Sequence, residues 1–251
     1  MQWNNLKEQS EEFSYRPERG ISFLGIPFFI VLLMWLVYWL DDRYFLDLHE
    51  YGILPRHFSG LRGILFSPLL HGSLSHLAAN SLPVLVLGAA LYYFYPKVAN
   101  KIILYSWIFG GLLVWIFARE NYHIGASGII YSFAGFVFLS GILRWQVNLL
   151  ALSFLIAFLY GSLFWGILPY DETISWEGHL MGGLVGFALA VVYRKLGPAR
   201  KKYSWELEEE KVEEEEIDLI GDAWKQYSGE HSVEYHYKPN SPSDQNQDLK
   251  N

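Results

Sequence analysis

Ile124-Gly125-Ala126-Ser127-Gly128-Ile129-Ile130-Tyr131 opens an apolar stretch that runs to Leu143 without a charged residue. Twenty residues at ~1.5 Å rise each are enough to cross the hydrocarbon of a bilayer as a helix. A serine among small residues at the mouth of such a helix means little alone, because Gly and Ser recur wherever membrane helices pack closely. It becomes informative through its partners. His71, His76 and Asn80 head one apolar segment, and His179 heads another.

Working outward, the whole chain has the composition of a membrane protein. Of its 251 residues, 52% are hydrophobic and 18% charged, too apolar for an ordinary soluble domain. The net charge of −7 is unevenly placed. Residues 203–251 hold fourteen Asp or Glu and four Lys or Arg, a balance of −10, which leaves +3 for residues 1–202. The acidity thus belongs to a tail. No basic stripe supports a nucleic-acid partner. The absence of cysteine excludes disulfide and thiol chemistry.

Hydropathy predicts an all-α polytopic fold with six spans, at about residues 21–40, 69–95, 102–118, 124–143, 147–167 and 179–193. The first is too long for a signal-peptide core and is followed by Asp41-Asp42, so it is expected to be retained. Residues 41–66 mix charges with Tyr44, Phe45, Tyr51, Phe58 and Phe66, which predicts an interfacial loop with short amphipathic helices. Pro83 falls inside the second span, where a kink is tolerated if neighbours satisfy the freed carbonyl. Trp176 and Tyr193 bracket the last span as interfacial anchors.

The expected organisation is a polar segment 1–20, a six-helix domain 21–195 and a tail 196–251. The glutamate-rich run 206–216 is expected to start helical, extending the last span; beyond it the tail is expected to be disordered, for want of apolar surface to offset chain entropy. With six spans, eleven Lys or Arg fall in the proposed inner segments and four in the outer loops. This predicts both termini in the cytoplasm and the heads of spans two, four and six at the outer face, a plasma (inner) membrane being the simplest setting.

That topology sets His71, His76, Asn80, Ser127 and His179 at one depth, roughly 5 to 15 Å below the outer boundary. Polar groups there are costly unless they pair or face water, and so tend to be functional. Serine is a weak nucleophile that needs a neighbouring base, and His179 is the natural candidate for Ser127. His76 and Asn80, four apart, share a helical face and could donate to the negative oxygen of an attacked carbonyl. The Ser127 backbone N–H, at a helix start, is a further donor. Gly182 and Gly186, extended by Ala190, form a small-residue row that would let span six approach span four. Tyr131, one turn after Ser127, could pack on the imidazole.

Rival readings exist. His123, four before Ser127, is a second possible base, though it fits better in the outer loop. His71, His76 and His179 could ligate a metal, but His-Glu-x-x-His is absent, and no metal or other cofactor is expected. Glu177, two before His179, would face away from it on a helix. Residue 129 is Ile, so Gly-x-Ser-x-Gly is absent and a soluble hydrolase is not suggested. No charged residue lies at mid-membrane depth to suggest a transporter.

His71-Gly-Ser-Leu-Ser-His76-Leu-Ala-Ala-Asn80, Gly125-Ala-Ser127-Gly128 with Tyr131, and Gly178-His179-Leu-Met-Gly182 with Gly186 together resemble the three motifs of rhomboid intramembrane serine proteases. The match covers about residues 20–195. The resemblance implies a six-helix core that cleaves peptide bonds in or near transmembrane segments of membrane proteins. It implies Ser127 as nucleophile and His179 as base in a dyad, His76 and Asn80 at oxyanion positions, and His71 in support. Segment 41–66 would match the outer-leaflet loop, with Leu61-Arg62 near the place where many members carry Trp-Arg. Small residues at the cleaved bond are expected from the same resemblance. The alternative is an inactive relative that binds transmembrane clients.

Overall fold

The structure, a computed structural model, describes residues 23–145, 147–159, 166–169 and 174–198. The expectations for segment 1–20 and for nearly all of the tail lie outside the described residues. Four helices are long and apolar enough to cross a membrane: α1 (Gly25–Tyr44), α2 (Leu74–Phe94), α3 (Ala99–Phe117) and α4 (Ser127–Arg144). Two shorter apolar helices follow, α5 (Val147–Leu159) and α6 (Trp176–Val192). Among the described residues there is no strand, only an isolated bridge between Ile53 and His123. The chain is a multi-pass membrane protein.

Burial orders the helices around α4. Its spanning window is 56% buried, against 11% for α1. α4 packs against α2, α3, α5 and α6, whereas α1 rests on α2. α1 turns Phe28, Phe29, Leu32, Trp35, Leu36 and Trp39 outward, a surface that lipid, not water, would solvate. It meets α2 where Pro27 lies against Gly88 and where Trp35 Nε1 donates to Ser81 Oγ at 3.0 Å.

Helices in lipid gain little from apolar burial against one another, so close backbone approach must supply the contact. α4 and α6 achieve it through glycine. A Cβ at Gly182 would collide with the Gly128 carbonyl, and one at Gly186 with the Ser132 carbonyl. The row read from the sequence therefore faces α4. Buried hydroxyls join other pairs: Ser132 Oγ donates to Ser106 Oγ at 2.7 Å between α4 and α3, and Tyr95 OH to Ser140 Oγ at 2.7 Å.

Several boundaries depart from the hydropathy reading. α1 runs on through Asp41, Asp42 and Arg43, because a helix satisfies its own backbone whether or not its last turn is charged. His71 precedes α2 instead of lying in its first turn; Ser73 is the N-cap, accepting from His76 N at 3.1 Å. In the fifth span, helix is described over Val147–Leu159 and residues 166–169, at its expected end, form turns; residues 160–165 lie outside the described residues. Apolar continuity cannot distinguish a helix from an apolar turn. Residues 41–66 contain the expected short helices, as 3₁₀ turns Leu48–Tyr51 and Phe58–Arg62 and an α-turn Gly63–Phe66. Arg62 donates to Glu50 O at 3.1 Å and lies 4.1 Å from the Tyr51 ring centroid.

At the other end of the bundle, Arg144 closes α6. Its guanidinium donates to Tyr193 O at 3.0 Å and to Leu196 O, both near the helix C-terminus where carbonyls lack intrahelical partners. Arg144→Met is expected to cost about 2 kcal/mol, since bonds from a charged donor are lost while its aliphatic volume is kept. Thermal unfolding in detergent measures this, with Arg144→Lys expected to lie between the two.

Candidate active site

Three helix heads and one loop build the site. α2 supplies His76 and Asn80, α4 supplies Ser127 and Tyr131, and α6 supplies His179. All five line one open cavity of about 550 Å³, together with Gly72, Ser73, Arg119, Tyr122, His123 and Ser175 among others. The cavity is of the size that holds a peptide segment or small ligand.

Ser127 is the first residue of α4 and half-buried. Its backbone N–H, at the first helical position, has no intrahelical acceptor. Gly125, just before it, has φ +104°, a left-handed conformation that glycine adopts without cost. Gly125 also admits His76: an added Cβ would sit 2.7 Å from His76 Cε1. The turn is pinned from the other side, where Gly125 N donates to Ser67 O at 2.8 Å. Ile53 and His123 exchange backbone hydrogen bonds at 3.0 and 2.9 Å. The interfacial loop thus holds the approach to Ser127.

His179 is buried in the second turn of α6, at 8% exposure. The Tyr131 ring stacks on it at 4.1 Å between centroids and 10° between planes. Its Nδ1 lies 2.7 Å from Gly166 O. A carbonyl can only accept, so Nδ1 carries the hydrogen and Nε2 keeps its lone pair. That is the tautomer a general base requires. The carbonyl is a partner no side-chain pattern could announce.

Asn80 is 5% exposed, and its Nδ2 has no hydrogen-bond partner among the described residues. A buried amide N–H left unpaired is costly, so a donor aimed at this cavity is poised for an acceptor that arrives with a ligand. His71 is not in the cavity wall. It lies behind, its ring 5.0 Å from that of His76, with Nδ1 donating to Leu69 O at 3.3 Å. Gly182 and Gly186 contribute backbone approach and do not line the cavity.

His123 is in the loop between α3 and α4, as expected, but it is buried, not exposed, and is bonded elsewhere than to Ser127. Its Nε2 donates to Arg119 O at 3.0 Å, and its Nδ1 accepts from Ser175 Oγ at 2.6 Å. Burial pushes its imidazole below the usual histidine range, opposed by the bond to Arg119 O and by Glu177. The neutral ring is the form this pairing needs. Glu177 bonds Arg119 and not His179. Arg119, Tyr122 and Ser175 were not singled out from the sequence as wall residues; an arginine and a serine in inter-span loops carry no periodic signal.

Comparison with known proteins identifies the family. Residues 59–196 match the family model described as Rhomboid domain, more than half of the chain. A Mycobacterium tuberculosis protein that bears only the name of an uncharacterized protein is 35% identical over 185 residues, covering 68% of this chain and 74% of its own. A Mycobacterium leprae protein, likewise named uncharacterized, is 30% identical over 181 residues, covering 67% and 70%. RHOMBOID-like protein 2 of Arabidopsis thaliana is 28% identical over 144 residues, covering 55% of this chain and 42% of its own. A helical membrane bundle whose helices α2, α4 and α6 bring histidine, asparagine and serine to one cavity, and whose sequence matches that domain over these same helices, belongs to the rhomboid family.

Proposed function

We propose that the protein is an intramembrane serine endopeptidase that hydrolyses peptide bonds in or near transmembrane segments of other membrane proteins. The observation that carries this reading is the single cavity shared by Ser127, His179, His76 and Asn80. In this reading α5 and α6 are the fifth and sixth spans of a six-helix core. The loop charges support cytoplasmic termini and a site that opens to the outer face of the plasma (inner) membrane.

A substrate helix unwinds at small residues and presents a carbonyl to Ser127. His179 Nε2 takes the hydroxyl proton as Ser127 Oγ bonds to the carbonyl carbon. The oxygen that becomes negative is met by Asn80 Nδ2, a His76 ring N–H and the Ser127 backbone N–H. His179 then returns the proton to the departing amine as the C–N bond breaks, leaving an acyl-enzyme on Ser127. Water, deprotonated by the same imidazole, releases the acid and restores the hydroxyl. No carboxylate bonds His179 among the described residues; Gly166 O orients the ring instead and Tyr131 supports its face.

A fluorophosphonate probe tests the nucleophile directly. Labelling at Ser127 is expected in the folded chain and is expected to vanish in Ser127→Ala. A wild-type chain with an unchanged thermal transition and no label at Ser127 would favour a non-catalytic protein that binds transmembrane clients.

A further inference from the structure

One cluster of charged and polar groups at the site end takes no part in the chemistry above. Arg119 follows the C-terminus of α3, and its Nε lies 3.3 Å from Glu177 Oε1 in the first turn of α6. The same oxygen accepts from Arg119 N at 3.4 Å, and Arg119 Nη2 donates to Ile174 O at 2.8 Å. Glu177 is only 4% exposed. Beside this pair, Ser175 donates to His123 Nδ1 at 2.6 Å and accepts from Gly178 N at 3.3 Å as the N-cap of α6. His123 Nε2 completes a closed ring through Arg119 O.

The ring joins two short pieces of chain. One is the loop from Arg119 to Ala126, which ends at Ser127. The other is the head of α6, where Ser175, Glu177 and His179 follow one another within five residues. An ion pair whose carboxylate is buried and whose guanidinium is partly exposed adds little net stability, since desolvation of the carboxylate offsets most of the attraction, but it is demanding in geometry. Among the described residues Arg119 is the cation beside this buried carboxylate, which cannot slide without leaving it.

We propose that Arg119 and Glu177, with His123 and Ser175, form a latch that fixes the head of α6 on the loop leading to Ser127, and so set the register between Ser127 and His179. They are positioning residues, and this role in the reaction rests on the protease reading above. The latch also explains why two helices with a smooth glycine seam do not slip along it. Glycine rows permit close approach without fixing register; the polar ring at the end supplies the stop.

The test uses the full chain in detergent with two variants, Glu177→Gln and Glu177→Asp, and two measurements. Steady-state cleavage of a transmembrane reporter should show Glu177→Gln losing about 10- to 100-fold in kcat with KM within twofold, as expected for a misplaced reacting group. Glu177→Asp, which keeps the charge, should recover most of that loss. Amide hydrogen exchange of residues 174–182 should quicken in Glu177→Gln, while residues 130–140 of α4 keep wild-type exchange. A wild-type kcat in Glu177→Gln, a change in KM alone, or equal losses in both variants would overturn the positioning role. If the wild type cleaves nothing, the protease reading falls and the exchange data still judge the latch: quickened exchange keeps it, and unchanged exchange discards it.

Discussion

Ser127→Ala and His179→Ala are each expected to reduce cleavage of a transmembrane reporter by about 10³-fold or more, with the thermal transition little changed in Ser127→Ala and lowered in His179→Ala, which empties a buried site. Ser127 is half-buried at a helix end, and loss of one hydroxyl there leaves no cavity. Loss of His179 removes the acceptor for the serine proton and the ring on which Tyr131 stacks. Residues that act as a unit are not additive, so the double variant should be no slower than either single one. A small residual rate, ~10³ above the uncatalysed reaction, would come from the donors of Asn80, His76 and the Ser127 backbone alone. Undiminished cleavage in either single variant would remove that residue from the mechanism.

The second large effect concerns folding. Gly182→Val should detach α6 from α4. An added Cβ meets the Gly128 carbonyl oxygen, its carbon at 2.8 Å and the Gly128 Cα at 3.1 Å, all of them backbone that cannot rotate aside. Overpacking typically costs about 1–3 kcal/mol, and a backbone clash belongs at or above the upper end. Because His179 lies one turn before Gly182, displacement of the helix also moves the base. Gly183→Ala is the internal control: nothing lies within 4 Å of an added Cβ there, and alanine favours the helix over glycine by roughly 0.5–1 kcal/mol. Unfolding in detergent should show a large fall for Gly182→Val and none for Gly183→Ala. Equal behaviour of the two would mean that the α4–α6 seam is not the tight contact described.

The contrast between adjacent glycines shows where sequence reading stops. Small residues at Gly182 and Gly186 announce close approach, but Gly183 has the same composition and faces open space. Helical periodicity ranks the faces; only packing tells which face a neighbour occupies. The same holds for His123 and His179. Both precede or follow Ser127 at plausible distances, and residue type alone left either as a base. The ring nitrogens settle their bonding differently, His123 turning to Ser175 and Arg119, and His179 to Gly166 O.

The sequence by itself determined the membrane class, the principal apolar helices, the family, and the small set of polar residues at their heads. Those are local properties: hydropathy summed over about twenty residues, and side-chain types at fixed spacing. Tertiary structure alone decided which tautomer His179 holds, that Arg119 meets Glu177, and where the helices begin and end. These depend on backbone carbonyls and on pairs more than fifty residues apart, and no periodicity within one helix encodes a contact made by another.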